Sequence, residues 1–191
     1  MSILKKRSVA ILITVVVAFA AMVFGVNRSV TRAVTEIEQV FYDGAMNPQG
    51  FREPSANAQL DRIANAAITL ATLLQGHPGL ENYADSVLVV RRNLLAAESI
   101  TDKGAAYIDL DDAFARLVQA AERADLTERE QEALASHSQT FSGAQSILAR
   151  ESRRYNEMLI ELWDNMAVWV RPIAPARPSF PKPAAFLDRG A

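Results

Sequence analysis

The sequence predicts an all-α protein with an N-terminal transmembrane helix, an antiparallel up-and-down helical bundle with a long final helix, and a proline-rich tail. Three observations predict this class. Hydrophobic residues, mostly alanine and leucine, make up 50% of the 191 residues, whereas only 7% are aromatic, and this composition favours helices over sheets. Residues 9–26 are apolar apart from Thr14 and Gly25. Beyond them, apolar residues recur at helical spacing between turns that contain proline or glycine.

The apolar run at residues 9–26 predicts a membrane anchor. At 1.5 Å per residue, its length approaches the roughly 30 Å hydrocarbon core of a bilayer. An Ala-x-Ala site that ends at Ala20 leaves open a signal peptide cleaved at that point. The run continues through Met22, Val23 and Phe24, which a cleaved chain would expose at its start, so an uncleaved single-pass anchor is favoured.

Basic residues on either side of the run predict its orientation. Lys5, Lys6 and Arg7 precede the run, and Arg28 and Arg32 follow it. The excess of basic residues before the run favours a cytoplasmic N-terminus, with the remaining domain outside the cytoplasm.

Five helical stretches follow from the periodicity. No proline separates the anchor from a helical pattern over residues 27–46, so the two are expected to form one long helix. Further helices are predicted at about 56–75, 81–99, 104–124 and 127–170. The inward faces predicted for the first four helical stretches are, in chain order, Val30, Ala33, Val34, Ile37, Val40 and Phe41; Leu60, Ile63, Ala64, Ala67, Leu70, Ala71 and Leu74; Tyr83, Val87, Val90 and Leu94; and Tyr107, Leu110, Phe114, Leu117 and Ala121.

The last helix has a capping signal and a mixed heptad pattern. Thr127 and Glu130 have the spacing of a capping box. The first seam position of the heptad is apolar throughout: Leu134, Phe141, Leu148, Tyr155, Leu162 and Trp169. The second is polar in its first half: Ser138, Gln145, Ser152, Leu159 and Met166. This pattern suits a helix with several neighbours better than a free coiled-coil dimer. Gly143 predicts a bend or a close helix crossing.

The tail contains prolines at every third position, which would line one face of a polyproline II segment. Two interpretations stay open. The tail is a ligand for an aromatic groove, or it packs along its own bundle through Ile173, Phe180 and Phe186, which is favoured. Asn156 could join the bundle to the tail, because its amide both donates and accepts hydrogen bonds. The candidate partner-binding or tail-docking residues are Tyr155, Asn156, Trp163, Pro172, Pro175, Pro178, Phe180 and Pro181.

Two stretches of the last helix and the end of the tail carry a resemblance to a known family. They are residues 141–150 (FSGAQSILAR), 153–157 (RRYNE) and 180–187 (FPKPAAFL). They resemble the LemA family of bacterial membrane-anchored helical proteins, although Leu162 and Trp163 stand where that family repeats its aromatic–Asn pair. The resemblance implies an anchored antiparallel bundle with no established catalytic activity.

Residues that could carry chemistry are sparse. There is no cysteine, and Leu74 and Leu134 precede His77 and His137 where a helical di-metal site would need glutamate. The acidic residues Asp102, Asp109, Asp111 and Asp112 lack the glycine and terminal glutamate of a calcium loop, so a solvated helix start is favoured. The net charge of −2 indicates no nucleic-acid partner. No catalytic residue, metal site or cofactor is predicted.

Three basic residues of the last helix could bind anionic lipid or a partner's carboxylates. They are Arg150, Arg153 and Arg154, and Glu151 and Glu157 lie at spacings that would neutralise them. Neutralisation within the helix is favoured.

We therefore expect a membrane anchor at residues 1–26, a helical bundle at 27–171 and an extended tail at 172–191. The expected function is a non-enzymatic interaction or scaffold protein in the inner membrane of a bacterium, binding other membrane or envelope proteins. A ligand-sensing bundle that reports through a partner is the alternative, and a homo-oligomer stays open.

Overall fold

The structure, a computed structural model, describes residues 2–166, with side chains from residue 10 onward. Within these residues the chain forms five helices: α1 (Ser2–Asp43), α2 (Ala56–Leu74), α3 (Glu81–Ala96), α4 (Ile100–Ala121) and α5 (Glu128–Asp164). No β-strand occurs among them; Met46 and Arg52 form an isolated antiparallel bridge. The all-helical class and the apolar N-terminal helix are confirmed.

The chain separates into two compact units. Among the described residues, unit 1 comprises residues 2–38 and 158–166, and unit 2 comprises residues 39–157. In unit 2, α2, α3 and α4 pack against one another. The two long helices α1 and α5 each contribute residues to both units.

Helix α1 is continuous through the apolar run, as predicted, and ends before Gly44. The Gly44 amide donates to the Val40 carbonyl at 3.0 Å, and its φ is 82°. A Cβ atom at this position would lie 2.0 Å from the carbonyl oxygen of Glu53. Only glycine fits this helix end, because other residues meet both the left-handed backbone and the clash.

Helix α2 buries the predicted face. Ser55 caps its first turn by accepting a hydrogen bond from the Ala58 amide at 3.0 Å. Leu60, Ile63, Leu70 and Leu74 are almost fully buried. Alanines fill the positions between them, and the Arg91 side chain of α3 donates to the carbonyl of Ala64 at 3.1 Å.

Helices α3 and α4 differ from the prediction at their junction. Helix α3 ends at Ala96 instead of residue 99, and α4 begins at Ile100 instead of 104. The cause is Ser99, whose hydroxyl accepts from the Asp102 amide at 3.0 Å and donates to the Asp102 carboxylate at 2.6 Å. This N-cap starts α4 one turn earlier than the apolar periodicity indicates.

The predicted inward position of Tyr83 is wrong. Tyr83 is 42% exposed, and the smaller Ala84 beside it is fully buried. Val87 and Leu94 are buried as predicted. On α4, the whole predicted face is buried: Tyr107, Leu110, Phe114, Leu117 and Ala121.

Helix α5 begins at the predicted capping box. The Glu130 carboxylate accepts from the Thr127 amide at 2.8 Å and from its hydroxyl at 2.7 Å. The helix ends at Asp164, earlier than the predicted residue 170. At this end the Met166 amide donates to the Trp163 carbonyl, which forms a tighter final turn. The close crossing predicted at Gly143 is also wrong, because Gly143 is exposed and a Cβ atom there would meet nothing within 4 Å.

Candidate functional site

Buried polar side chains concentrate in two short segments of unit 2. Among the residues with described side chains, those that are buried and polar or charged are Ser55, Gln59, Glu151, Ser152 and Asn156. Ser55 and Gln59 lie at the start of α2, and the other three lie on α5. We call these stretches, with the flanking ionic residues, the polar segments 53–59 and 150–156.

An ion pair joins the two polar segments. The Arg154 guanidinium donates to the Glu53 carboxylate across 101 positions of sequence. Glu53 is held in place by its backbone, because its amide donates to the Ala45 carbonyl at 2.8 Å. Expectations based on helical spacing within α5 missed this partner of Arg154, since Glu53 lies in the connection between α1 and α2.

The connection between α1 and α2 is a compact turn that presents Glu53. Asn47 pairs its backbone with Phe51, and its side-chain oxygen accepts from the amides of Gln49 at 3.1 Å and Phe51 at 2.8 Å. The Met46–Arg52 bridge closes the same turn. These contacts explain how an irregular segment can place a carboxylate against a helix.

Tyr155 and Asn156 lie on the buried side of α5. Tyr155 is fully buried, and its ring contacts that of Phe41 edge-on at a centroid distance of 5.5 Å. Asn156 is 7% exposed. Arg150 forms an ion pair at 2.8 Å with the buried carboxylate of Glu151, which compensates a charge that would otherwise be costly to bury.

Two buried polar atoms in these segments have no partner among the residues that the structure describes. They are the side-chain oxygen of Gln59 and the hydroxyl of Ser152. Ser152 is fully buried, and Gln59 is 2% exposed. Such atoms destabilise a folded chain unless water or another polar group satisfies them.

A further polar contact joins α4 to α5. The Gln145 side chain donates to the Asp111 carboxylate at 2.6 Å and to the Tyr107 hydroxyl at 3.3 Å. Nearby on the same helices, the rings of Phe114 and Phe141 stack at 3.9 Å with an interplanar angle of 4°. The polar seam position at Gln145 is thus used to align two helices.

The start of α5 contacts the turn between α2 and α3. His77 lies 3.4 Å from the Glu130 carboxylate, and both side chains are largely covered. The hydroxyl of Thr127 and then its amide, by hydrogen bonding to Glu130, hold the pKa of that carboxyl below its usual range, with a smaller contribution from His77. His77 therefore contributes to the contact between the α2–α3 turn and the start of α5.

Comparison with protein-family models, with curated proteins and with solved structures finds no match to this chain.

Only three of the predicted site residues, Tyr155, Asn156 and Trp163, lie in the described part of the chain. Tyr155 and Asn156 are buried in unit 2, and Trp163 is half-buried in unit 1. The tail positions lie outside the described residues: Pro172, Pro175, Pro178, Phe180 and Pro181. Glu53 and Gln59 were not predicted, and Arg154 was expected to be neutralised within its own helix. Only the cap at Ser55 has a local sequence signal.

Surface grooves flank α4. One groove of about 560 Å³ between α3 and α4 is lined by alanines with Asn93, Glu98, Asp102 and Asp109, and a second of about 440 Å³ lies beside Arg116. Among the described residues, no three His, Cys, Asp or Glu side chains are grouped so that they could hold a metal ion.

Among the described helices, α1 alone is long and apolar enough to cross a membrane, by length and composition. Its candidate span is Ala10–Asp43, and the most apolar stretch of that span contains no buried residue. The large side chains of the run are mostly exposed, for example Phe19 at 66% and Phe24 at 69%.

Proposed function

We propose that this chain is a single-pass membrane protein of the bacterial inner membrane whose helical domain binds other membrane or envelope proteins as a scaffold, without catalysis. The observation that carries the proposal is the exposed apolar run of α1. From residue 10 onward, most of its side chains are exposed in the described part of the chain. A continuous apolar surface of this kind requires a cover, and lipid is the cover that its length suits.

The rest of the proposal rests on what unit 2 contains. Its helices have their own apolar core, and Arg154 of segment 150–156 forms an ion pair with Glu53, which lies in the connection between α1 and α2. Carboxylate–guanidinium pairs, amides and hydroxyls in this arrangement suit the positioning of helices. This supports an antiparallel up-and-down bundle used for binding.

We also propose that the chain is a divergent member of the LemA family. The support is the position of the stretches that resemble that family. Residues 141–157 lie within α5, and Tyr155 and Asn156 are buried there. The tail, in this proposal, docks on the bundle near Asn156.

The anchor is tested by extraction of bacterial membranes with alkaline carbonate. The full chain should stay in the membrane pellet and keep its original N-terminus. In the matched variant, Val15→Arg with Val17→Arg, two charges at the centre of the run should each disfavour insertion by about 2.5–3.5 kcal/mol and release the chain. A soluble wild-type chain that begins at Ala21 would contradict the proposal.

Partner binding is tested by photocrosslinking in native membranes. A photoreactive amino acid is placed at exposed positions of separate helices, Asn93 on α3 and Gly143 on α5. Binding predicts a discrete adduct of one mass at some positions and not at others. An adduct of twice the chain mass indicates a homo-oligomer, and the absence of adducts across all exposed helix positions would refute the scaffold proposal.

A further inference from the structure

Helix α1 continues past the apolar run without a break, so the residues that follow lie at fixed distances from the run. At 1.5 Å per residue, Arg28 lies roughly 3 Å beyond Val26 along the helix axis. Arg32 and Glu36 lie roughly 9 Å and roughly 15 Å beyond Val26. Headgroups add about 5–8 Å to each side of the hydrocarbon core of a bilayer. With the run in the core, Arg28 therefore lies in the headgroup layer, and Arg32 lies outside it.

Arg28 lies on the exposed side of α1. Val26 is half-buried and Val30 is buried. By contrast, Asn27, Arg28 and Ser29 are exposed. With about 3.6 residues per turn, Arg28 lies roughly 160° around the helix from both valines. The arginine is therefore on the side of α1 that meets the surroundings of the anchor, away from the covered side.

The two arginines after the run differ in the compensation of their charges. The Nε atom of Arg32 lies 2.9 Å from the Glu36 carboxylate, one turn further along the helix. Arg28 forms no ion pair with any residue whose side chain the structure describes. Glu36 is also the first acidic residue after the run in the sequence. Arg28 therefore has an uncompensated positive charge at the level where lipids carry their phosphates.

The headgroup of an anionic phospholipid matches this charge. A guanidinium binds a phosphate through two parallel N–H···O bonds, which are strong because both partners are charged. In phosphatidylcholine the ammonium of the same headgroup compensates the phosphate, whereas phosphatidylglycerol has no such group. A basic side chain at the membrane surface is therefore attracted to anionic lipid. Asn27 and Ser29, which flank Arg28 and are exposed, add hydrogen-bond donors for such a headgroup.

We propose that Arg28 binds the phosphate of an anionic phospholipid, so that the end of the anchor selects anionic over zwitterionic lipid. This inference rests on the proposed membrane anchor. Arg32 contributes little to the selection, because it lies farther from the hydrocarbon core and Glu36 compensates its charge.

Quenching of tryptophan fluorescence by brominated lipids measures this selection. The probe is Phe24→Trp, because Phe24 is exposed and lies one turn before Arg28. The full chain also carries Trp163→Phe and Trp169→Phe, so that the probe is its one tryptophan. It is reconstituted in mixed vesicles in which either the phosphatidylglycerol or the phosphatidylcholine has brominated acyl chains. At equal mole fractions and low salt, we expect a roughly fivefold preference for phosphatidylglycerol beside the probe.

Two charge variants of this chain identify the residue that is responsible. Arg28→Gln should abolish the preference, whereas the matched control Arg32→Gln should keep most of it. Equal quenching by both lipids in the parent chain would overturn the inference and leave the anchor standing, because both lipids then reach position 24. An unchanged preference in Arg28→Gln, or equal losses in the two variants, would also overturn it. Quenching by neither lipid would overturn the anchor as well.

Discussion

At the scale of single residues, unit 2 combines paired charges with polar atoms that have no described partner. Glu151 is buried beside Arg150, and Glu53 pairs with Arg154. The hydroxyl of Ser152 is fully enclosed without a partner among the described residues. Replacement of one of these charged side chains is therefore expected to destabilise the folded chain more than removal of the Ser152 hydroxyl.

Replacement of Ser152 tests that difference. We expect Ser152→Ala to leave stability unchanged or to raise it by up to about 1 kcal/mol, because it removes a desolvated hydroxyl and keeps the Cβ atom. The matched control is Leu148→Ala, one turn away and 1% exposed, which should cost about 2–5 kcal/mol. Denaturant unfolding of the full chain in detergent measures both. A loss above about 1 kcal/mol for Ser152→Ala would reveal a partner for the hydroxyl.

The depressed pKa of Glu130 predicts an acid-sensitive contribution to stability. A carboxyl whose pKa is lower in the folded chain stabilises it fully above its unfolded pKa, and the contribution is lost as pH falls through the folded pKa. The pKa of an unperturbed glutamate is about 4.3, so the loss falls below roughly that pH. We expect Glu130→Gln to lower the melting temperature at neutral pH and to flatten its decline as the pH falls through the acidic range. Glu128→Gln, an exposed acid in the same turn, should keep the wild-type decline; equal slopes in both variants would contradict the assignment.

At the scale of elements, local caps and glycines set where the helices begin and end. Ser55, Ser99 and Thr127 each accept a backbone hydrogen bond at a helix start. Gly44 ends α1 with a backbone that other residues rarely adopt. Gly143 has no such role, because it lies on the exposed side of α5 with open space around it.

Alanine at the two glycines should therefore have opposite effects. Gly143→Ala should stabilise the chain by about 0.5–1 kcal/mol, because alanine has the higher helix propensity. Gly44→Ala should destabilise it by more than about 1 kcal/mol, since the new Cβ meets the Glu53 carbonyl at a positive φ. Thermal unfolding followed by circular dichroism compares them. A destabilised Gly143→Ala would mean that a partner or another copy packs against that face.

At the scale of the whole molecule, the chain divides its apolar residues between two uses. In unit 2 they form an internal core, whereas most side chains of residues 10–26 are exposed. Burial of an apolar side chain typically contributes about 1.5–3 kcal/mol. The exposed run therefore has a large free energy to gain from lipid, which favours membrane insertion in the proposed function.

The proposed orientation can be tested by cysteine labelling, because the native chain contains no cysteine. Single-cysteine variants Ser2→Cys and Asn93→Cys are treated with a membrane-impermeant maleimide in spheroplasts. Asn93 is exposed on α3. In the proposed orientation, the excess of basic residues before the run keeps the N-terminus inside, so a cysteine at position 93 should label in intact spheroplasts. Ser2→Cys should label only after lysis. The reverse pattern would place the helical domain in the cytoplasm.

The sequence by itself determined the features that depend on neighbouring residues. Apolar periodicity predicted the helical class, the long α1 and the buried faces of α2 and α4, and the Thr127–Glu130 spacing predicted the start of α5. These predictions are confirmed because helical spacing and capping depend on residues that are close together in the sequence. The same local reasoning put Tyr155 on the core seam, and its side chain is fully buried.

Only the tertiary structure decided which distant residues meet. It joined Arg154 to Glu53 and Gln145 to Asp111, turned Tyr83 outward, and divided α1 and α5 between two compact units. Periodicity indicates which side of a helix is buried, but it carries no information about the neighbour that buries it. The partner of a polar side chain depends on how the helices pack, and here that packing placed the carboxylate of a loop against the last helix.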